Sequence, residues 1–151
     1  MEKKLIFTTS SCEDTEKLGQ RLARSMRDGG LVAFYGELGA GKTSFIRGMG
    51  KIICPDARVC SPTYSIINEY SRDGRTVMYH IDAYRIKDDD DLYSTGYYDL
   101  TEIPGCVIAV EWSENIPYAL PEECVRVSIE KTEEGGRKIT ITDPPPGFAD
   151  T

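Results

Sequence analysis

The sequence contains a single histidine, His80, and its five cysteines, Cys12, Cys54, Cys60, Cys106 and Cys124, include no C-x-x-C pair. The ligand set of a structural zinc site is therefore missing. No apolar run approaches the length needed to cross a bilayer, and Met1-Glu-Lys-Lys-Leu-Ile-Phe7 has no apolar signal region. These absences point to a cytoplasmic chain with no membrane partner. Positive charge is also scarce: 18 Lys and Arg stand against 25 Asp and Glu, a formal net charge of −7 and a pI near 4.8. Gripping a polyanion needs a clustered excess of cations, so DNA is excluded as a direct partner, and any tRNA is expected to be held by another protein. There is no internal repeat, and no Asn-Lys-x-Asp segment to read a guanine base.

What is present fits one core. A chain of 151 residues with 40% hydrophobic content is long enough for one sizeable domain and too short for two, so residues 1–151 are read as a single domain with a loose tail from about 143. Residues 4–8 read as an edge strand. From about Glu13 to Arg27, Leu18, Leu22, Ala23 and Met26 recur at helical spacing, and Asp28-Gly-Gly30 ends the helix. Leu31-Val-Ala-Phe-Tyr35 has no polar alternation and suits a strand covered on both faces. A second helix is expected from near Gly41 to about Ile53.

Further along, Tyr64–Tyr70 and Thr76–Asp82 flank Asp73-Gly74 and read as a hairpin. Asp88–Tyr93 suits a short helix and Cys106–Val110 a buried strand. Val125–Lys131 and Lys138–Thr142 form another hairpin around Glu133-Glu-Gly-Gly136. The expected class is α/β: a P-loop NTPase-like mixed sheet with a parallel core, added antiparallel hairpins and helices on both faces.

The octet Gly36-Glu-Leu-Gly-Ala-Gly-Lys-Thr43 fits G-x-x-x-x-G-K-[ST] and lies between an apolar strand and a helix. Its glycines let successive amides face one phosphate, and the helix N-terminus adds its positive dipole end. Lys42 then reaches the β- and γ-phosphates of ATP, and the Thr43 hydroxyl is placed to ligate Mg2+.

Such a site needs a carboxylate at the C-terminal end of a neighbouring strand. Both Glu111, after Cys106–Val110, and Asp82, after Val77–Ile81, qualify, and spacing alone does not choose between them. Ser61-Pro62-Thr63-Tyr64 reads either as a nucleotide-sensing switch loop or as an ordinary strand start. In His80-Ile-Asp-Ala-Tyr-Arg85, alternation puts His80, Asp82 and Tyr84 on one face if the strand persists, with Arg85 nearby to stabilise phosphoryl charge; the other reading is a polar strand end with Arg85 in a surface ion pair. Trp112 faces either core or partner, and Asp88–Asp91 reads as a solvated helix start.

In order and interval, Gly36–Thr43, Ser61–Tyr64, His80–Arg85 and Glu111-Trp112 resemble the bacterial TsaE family, also called YjeE or YdiB, over residues from about 10 to 142. The family is the ATPase of tRNA threonylcarbamoyladenosine biosynthesis. The resemblance implies that Thr43 and Glu111 hold magnesium and that Lys42 and the loop Gly36, Glu37, Leu38, Gly39, Ala40, Gly41 through Ser44 hold the phosphates. It further implies that Asp82 acts near the hydrolytic water, making Asp82, Lys42 and Glu111 the catalytic set. By position Cys12 and Arg137 approach the base, and Trp112 lies close to the nucleotide. Implied partners are TsaD and TsaB, with tRNA reached through them. The run Asp88-Asp-Asp-Asp91 departs from the usual Asp-Pro-Glu-Glu, away from the phosphate residues. A small-molecule kinase is the weaker alternative, because the arginines are scattered rather than gathered in a lid.

Overall fold

The protein is described by a computed structural model covering residues 2–62 and 66–148. Strands β1 (Lys4–Thr9), β2 (Gly30–Tyr35), β3 (Ile67–Arg72), β4 (Arg75–Asp82), β5 (Val107–Glu111), β6 (Val125–Lys131) and β7 (Arg137–Thr142) form one sheet in the order β1-β7-β6-β2-β5-β4-β3. The inner strands β6, β2, β5 and β4 are parallel. β3 adds antiparallel to β4 at one edge, and β7 and β1 add antiparallel beyond β6 at the other. The mixed sheet with a parallel core is the expected architecture, and its central strands β2 and β5 are the unbroken apolar runs.

Helices α1 (Cys12–Arg24) and α2 (Lys42–Ile53) cover one face, and the short helices α3 (Asp89–Tyr93) and α4 (Tyr97–Leu100) belong to the other. Leu18, Leu22, Phe45, Ile46 and Met49 meet Val32, Phe34, Ala109 and Val127 in the first layer. Leu92, Tyr97 and Ile116 meet Ala33, Ile108 and Val110 in the second. Phe34 of β2 and Phe45 of α2 stack edge to face at 5.4 Å, tying together the two elements that flank the glycine-rich loop.

α1 starts one residue earlier than its apolar pattern suggests, because the Ser11 hydroxyl accepts the Asp14 amide and caps it. It stops at Arg24, not Arg27: the Ser25 and Met26 amides turn back to the Leu22 and Ala23 carbonyls, tightening the last turn. Gly19 and Gly48 sit where α1 and α2 touch. A Cβ at Gly19 would lie 2.1 Å from the Phe45 carbonyl oxygen, and one at Gly48 would lie 2.0 Å from that of Glu16.

The tail differs from expectation up to its last described residue. Phe148 is fully buried, packs edge to face on Phe7 at 6.0 Å, and lies under the Arg21 guanidinium, while Asp143 donates its amide to the Lys3 carbonyl. One aromatic ring in the core layer anchors a segment that otherwise lacks regular structure. Among the described residues no helix is long and apolar enough to cross a membrane.

Candidate nucleotide-binding site

The parallel strands β2, β5 and β4 bring Tyr35, Glu111 and Asp82 to the same edge of the sheet, where open α/β sheets present their ligand crevices. Gly36 leaves β2 with φ 149°, and a Cβ there would lie 2.6 Å from the Ile129 carbonyl oxygen of the neighbouring strand. Gly41, at φ 113°, turns the chain into α2. α2 has no side-chain N-cap, so its first amides remain for another acceptor.

Lys42 is only 4% exposed. Its ammonium donates to the Gly36 carbonyl at 2.7 Å and stands 4.1 Å over the Trp112 ring, which lies 5.0 Å from Tyr84. The carbonyl and the π-face compensate for the burial of the charge. Trp112 itself has φ 58°, a left-handed conformation that bulky residues seldom adopt, and this turn presents its ring to the loop lysine.

A polar chain crosses the crevice beside this lysine. The Thr43 and Ser61 hydroxyls are 2.6 Å apart, Ser61 Oγ donates to Glu111 Oε2 at 3.4 Å, and His80 Nε2 is 2.6 Å from the same oxygen. His80 is fully buried, and its Nδ1 has no partner among the described residues. The tautomer with hydrogen on Nε2 therefore donates to the acceptor-only carboxylate and leaves no buried N–H unmet. Glu111 in turn pairs in register with Asp82 across the parallel strands, and Asp82 Oδ1 accepts the Tyr84 amide at 2.9 Å.

Two hydroxyls and two carboxylates thus converge next to the glycine-rich loop Gly36–Thr43. Mg2+ prefers oxygen ligands and is normally held by one or two carboxylates together with substrate phosphates, so this donor set fits it. Among the described residues no group of three or more His, Cys, Asp or Glu forms a metal cage.

The enclosing cavity has a volume of about 470 Å³. Leu38, Gly39, Gly41, Lys42, Thr43 and Ser44 line it, together with Ser61, Asp82, Glu111, Trp112, Cys12 and Arg137. Gly36, Glu37 and Ala40 build the loop without lining the cavity: the Glu37 carbonyl accepts the Ala40 amide, and Ala40 is buried in the core. Of the switch segment, Ser61 is in the cavity wall and Pro62 is buried beside it; Thr63 and Tyr64 lie outside the described residues.

The strand ends at Asp82, so Tyr84 does not share the face of His80 and Asp82 in the manner of an extended chain, but turns out and stacks on Trp112. Sequence reading did not foresee the His80–Glu111 contact, nor Ser10, Ser11, Thr15, Gly135 and Gly136 as wall residues. A helix-capping serine beside Cys12 and the Gly-Gly turn before Arg137 were the available signals.

The family model for threonylcarbamoyl adenosine biosynthesis protein TsaE matches residues 9–139. A tRNA threonylcarbamoyladenosine biosynthesis protein TsaE from Nostoc is 36% identical over 132 residues, covering 86% of this chain and 80% of that protein. Its counterpart from Bacillus subtilis is 34% identical over 141 residues, covering 93% and 86%. The crystal structure of Bacillus subtilis YdiB superimposes with a TM-score of 0.78 at 27% identity, covering 99% of this chain and 92% of that one. With a glycine-rich loop at the sheet edge, Glu111 and Asp82 side by side, and the family match running through all of them, the chain belongs to the TsaE family.

Proposed function

We propose that this protein binds ATP with Mg2+ and hydrolyses it in support of threonylcarbamoyl transfer to the adenosine beside the anticodon of tRNA. In this reading TsaD and TsaB are its partners in the cytoplasm, the transfer chemistry belongs to TsaD, and tRNA is met only through them. The observation that carries the proposal is the convergence of Lys42, Thr43, Ser61, Glu111 and Asp82 on one cavity at the ends of three parallel strands.

Each residue has a role that its surroundings suit. The loop amides and the start of α2 cradle the phosphates, and Lys42 exchanges its Gly36 carbonyl for the β- and γ-phosphate oxygens. Thr43, Ser61 and Glu111 would hold Mg2+, which when bound supplies neutralisation of the charge that develops on the phosphates. Asp82, steadied by the Tyr84 amide, orients a water toward the γ-phosphorus. The water oxygen bonds to phosphorus, the bond to the β–γ bridging oxygen breaks, and ADP and inorganic phosphate leave. Cys12 and Arg137, which the resemblance puts near the base, border the same cavity, and Trp112 flanks the lysine.

Titration with ATP and Mg2+ tests this directly. Trp112, the only tryptophan, should change its emission saturably, and calorimetry should give the same affinity. Lys42→Ala should lose at least tenfold in affinity, and Asp82→Ala should keep binding but lose phosphate release. Unchanged affinity in Lys42→Ala would sink the phosphate-loop assignment.

A further inference from the structure

The guanidinium of Arg137 lies at the cavity wall, yet its hydrogen bonds run to the protein backbone. Nε donates to the Ala40 carbonyl at 2.6 Å and Nη2 to the Gly39 carbonyl at 3.4 Å. Nη1 donates to the carbonyls of Gly136 at 2.9 Å and Gly135 at 3.2 Å. One side chain thus joins two successive peptides of the phosphate loop to two peptides of the β6–β7 turn, 97 residues away in sequence. We infer that Arg137 is a positioning residue that acts on the phosphates through the loop, as a clamp fixing the direction of its amides. This rests on the nucleotide reading proposed above.

The orientation follows from the planar trans peptide, in which N–H and C=O point in opposite directions. Drawing the Ala40 carbonyl onto Nε turns the Gly41 N–H away from the guanidinium, and drawing the Gly39 carbonyl onto Nη2 does the same for the Ala40 N–H. The Ala40 N–H is met by the Glu37 carbonyl at 3.0 Å. The Gly41 N–H has no backbone partner among the described residues and belongs to a cavity-lining residue. Gly41 at φ 113° has wide conformational freedom, so without an external hold this peptide is free to rotate.

The other end of the clamp is rigid. The Thr132 amide donates to the Gly136 carbonyl at 3.1 Å, and the Thr132 hydroxyl accepts the Gly136 amide at 3.0 Å. Gly136 sits so close to β1 that a Cβ there would be 2.5 Å from the Thr9 carbonyl oxygen. The turn is therefore pinned both to itself and to the strand that leads into α1. A planar fork with five fixed donors suits this task, whereas an ammonium offers three donors from a single point.

Hydrogen exchange on the nucleotide-free protein tests the clamp alone. Arg137→Ala should speed exchange of the Ala40 amide, the loop amide bonded to the Glu37 carbonyl, at least tenfold while β2 and β5 stay protected, and Arg137→Lys should fall between it and the wild type. Unchanged exchange in the loop would overturn the inference. Binding then separates positioning from direct contact with the base. Calorimetry with ATP and with inorganic tripolyphosphate, which carries no base, should show Arg137→Ala weakened by a similar factor of about ten for both.

A loss confined to ATP would make Arg137 a base or sugar ligand and overturn the clamp; affinity unchanged for both would do so too. Should the alanine variant not fold, Arg137→Lys carries the same comparisons. Failure of the wild-type protein to bind either ligand would count against the nucleotide reading, and the exchange measurement would still decide the clamp.

Discussion

His80 shows how much one buried side chain adds to a carboxylate. Its ring is wholly enclosed, and Nε2 is 2.6 Å from Glu111 Oε2, short even for a hydrogen bond to a charged acceptor. That contact, together with the Ser61 hydroxyl, restrains one Glu111 oxygen. Replacing His80 by Leu fills similar space but leaves a nearly buried carboxylate short of a donor. The expected cost is about 1.5–3 kcal/mol of unfolding free energy, the usual worth of a hydrogen bond to a charged group. Magnesium-dependent ATP affinity should drop about tenfold, while nucleotide binding in the presence of EDTA stays near wild type. His80→Gln restores an amide donor at a similar reach and should recover part of the magnesium dependence. Equal affinity of His80→Leu and wild type across a magnesium titration would show that the contact does not position Glu111 for the proposed metal.

At the scale of elements, the approach of α1 to α2 is what seats the helix that follows the glycine-rich loop. Two glycines make that approach possible, and the glycine of α2, Gly48, meets the Glu16 carbonyl where no Cβ fits. The contact is backbone against backbone, so neither side yields as a flexible side chain does. Gly48→Ala raises helix propensity by roughly 1 kcal/mol, while overpacking against a rigid backbone costs toward the upper end of about 1–3 kcal/mol, so the protein should be destabilised by about 2 kcal/mol net. Denaturant unfolding would show this, and a stabilised Gly48→Ala would mean that the helices have room to part.

The elements also show which parts of this architecture were legible from residues alone. β2 and β5 announce themselves as continuous apolar runs, and the glycine-rich octet between a strand and a helix locates the crevice. The boundary at Arg24 and the anchored Phe148 were not legible. The first depends on carbonyls in the final helical turn, and the second on where Phe7 and Arg21 lie in space. The same holds in the site: motif spacing brings Lys42, Asp82 and Glu111 into consideration, but only the parallel register of β4 and β5 puts the two carboxylates side by side. The carbonyl contacts of Arg137 join segments too far apart in sequence for any periodicity to signal.

For the molecule as a whole, charge and incompleteness point the same way. A net charge of −7 gives little long-range attraction to a polyanion, so the isolated chain should bind tRNA weakly at physiological salt. Among the described residues lining the cavity, the cation available to phosphates in this reading is Lys42, since Arg137 is committed to four carbonyls. P-loop enzymes gain much of their rate from an additional arginine, often supplied by a partner. Hydrolysis by the isolated chain is therefore expected to be slow, and addition of TsaD with TsaB should raise it at least tenfold. Asp82→Ala should abolish the increase while leaving ATP binding largely intact. Glu111→Ala should instead weaken the magnesium-dependent part of binding, because its carboxylate belongs to the Thr43–Ser61 chain. Phosphate release measured with each variant, alone and with partners, separates the two carboxylates. A wild-type rate that is the same with and without TsaD and TsaB, or tight binding of tRNA by the chain alone, would defeat the account of a partner-activated ATPase.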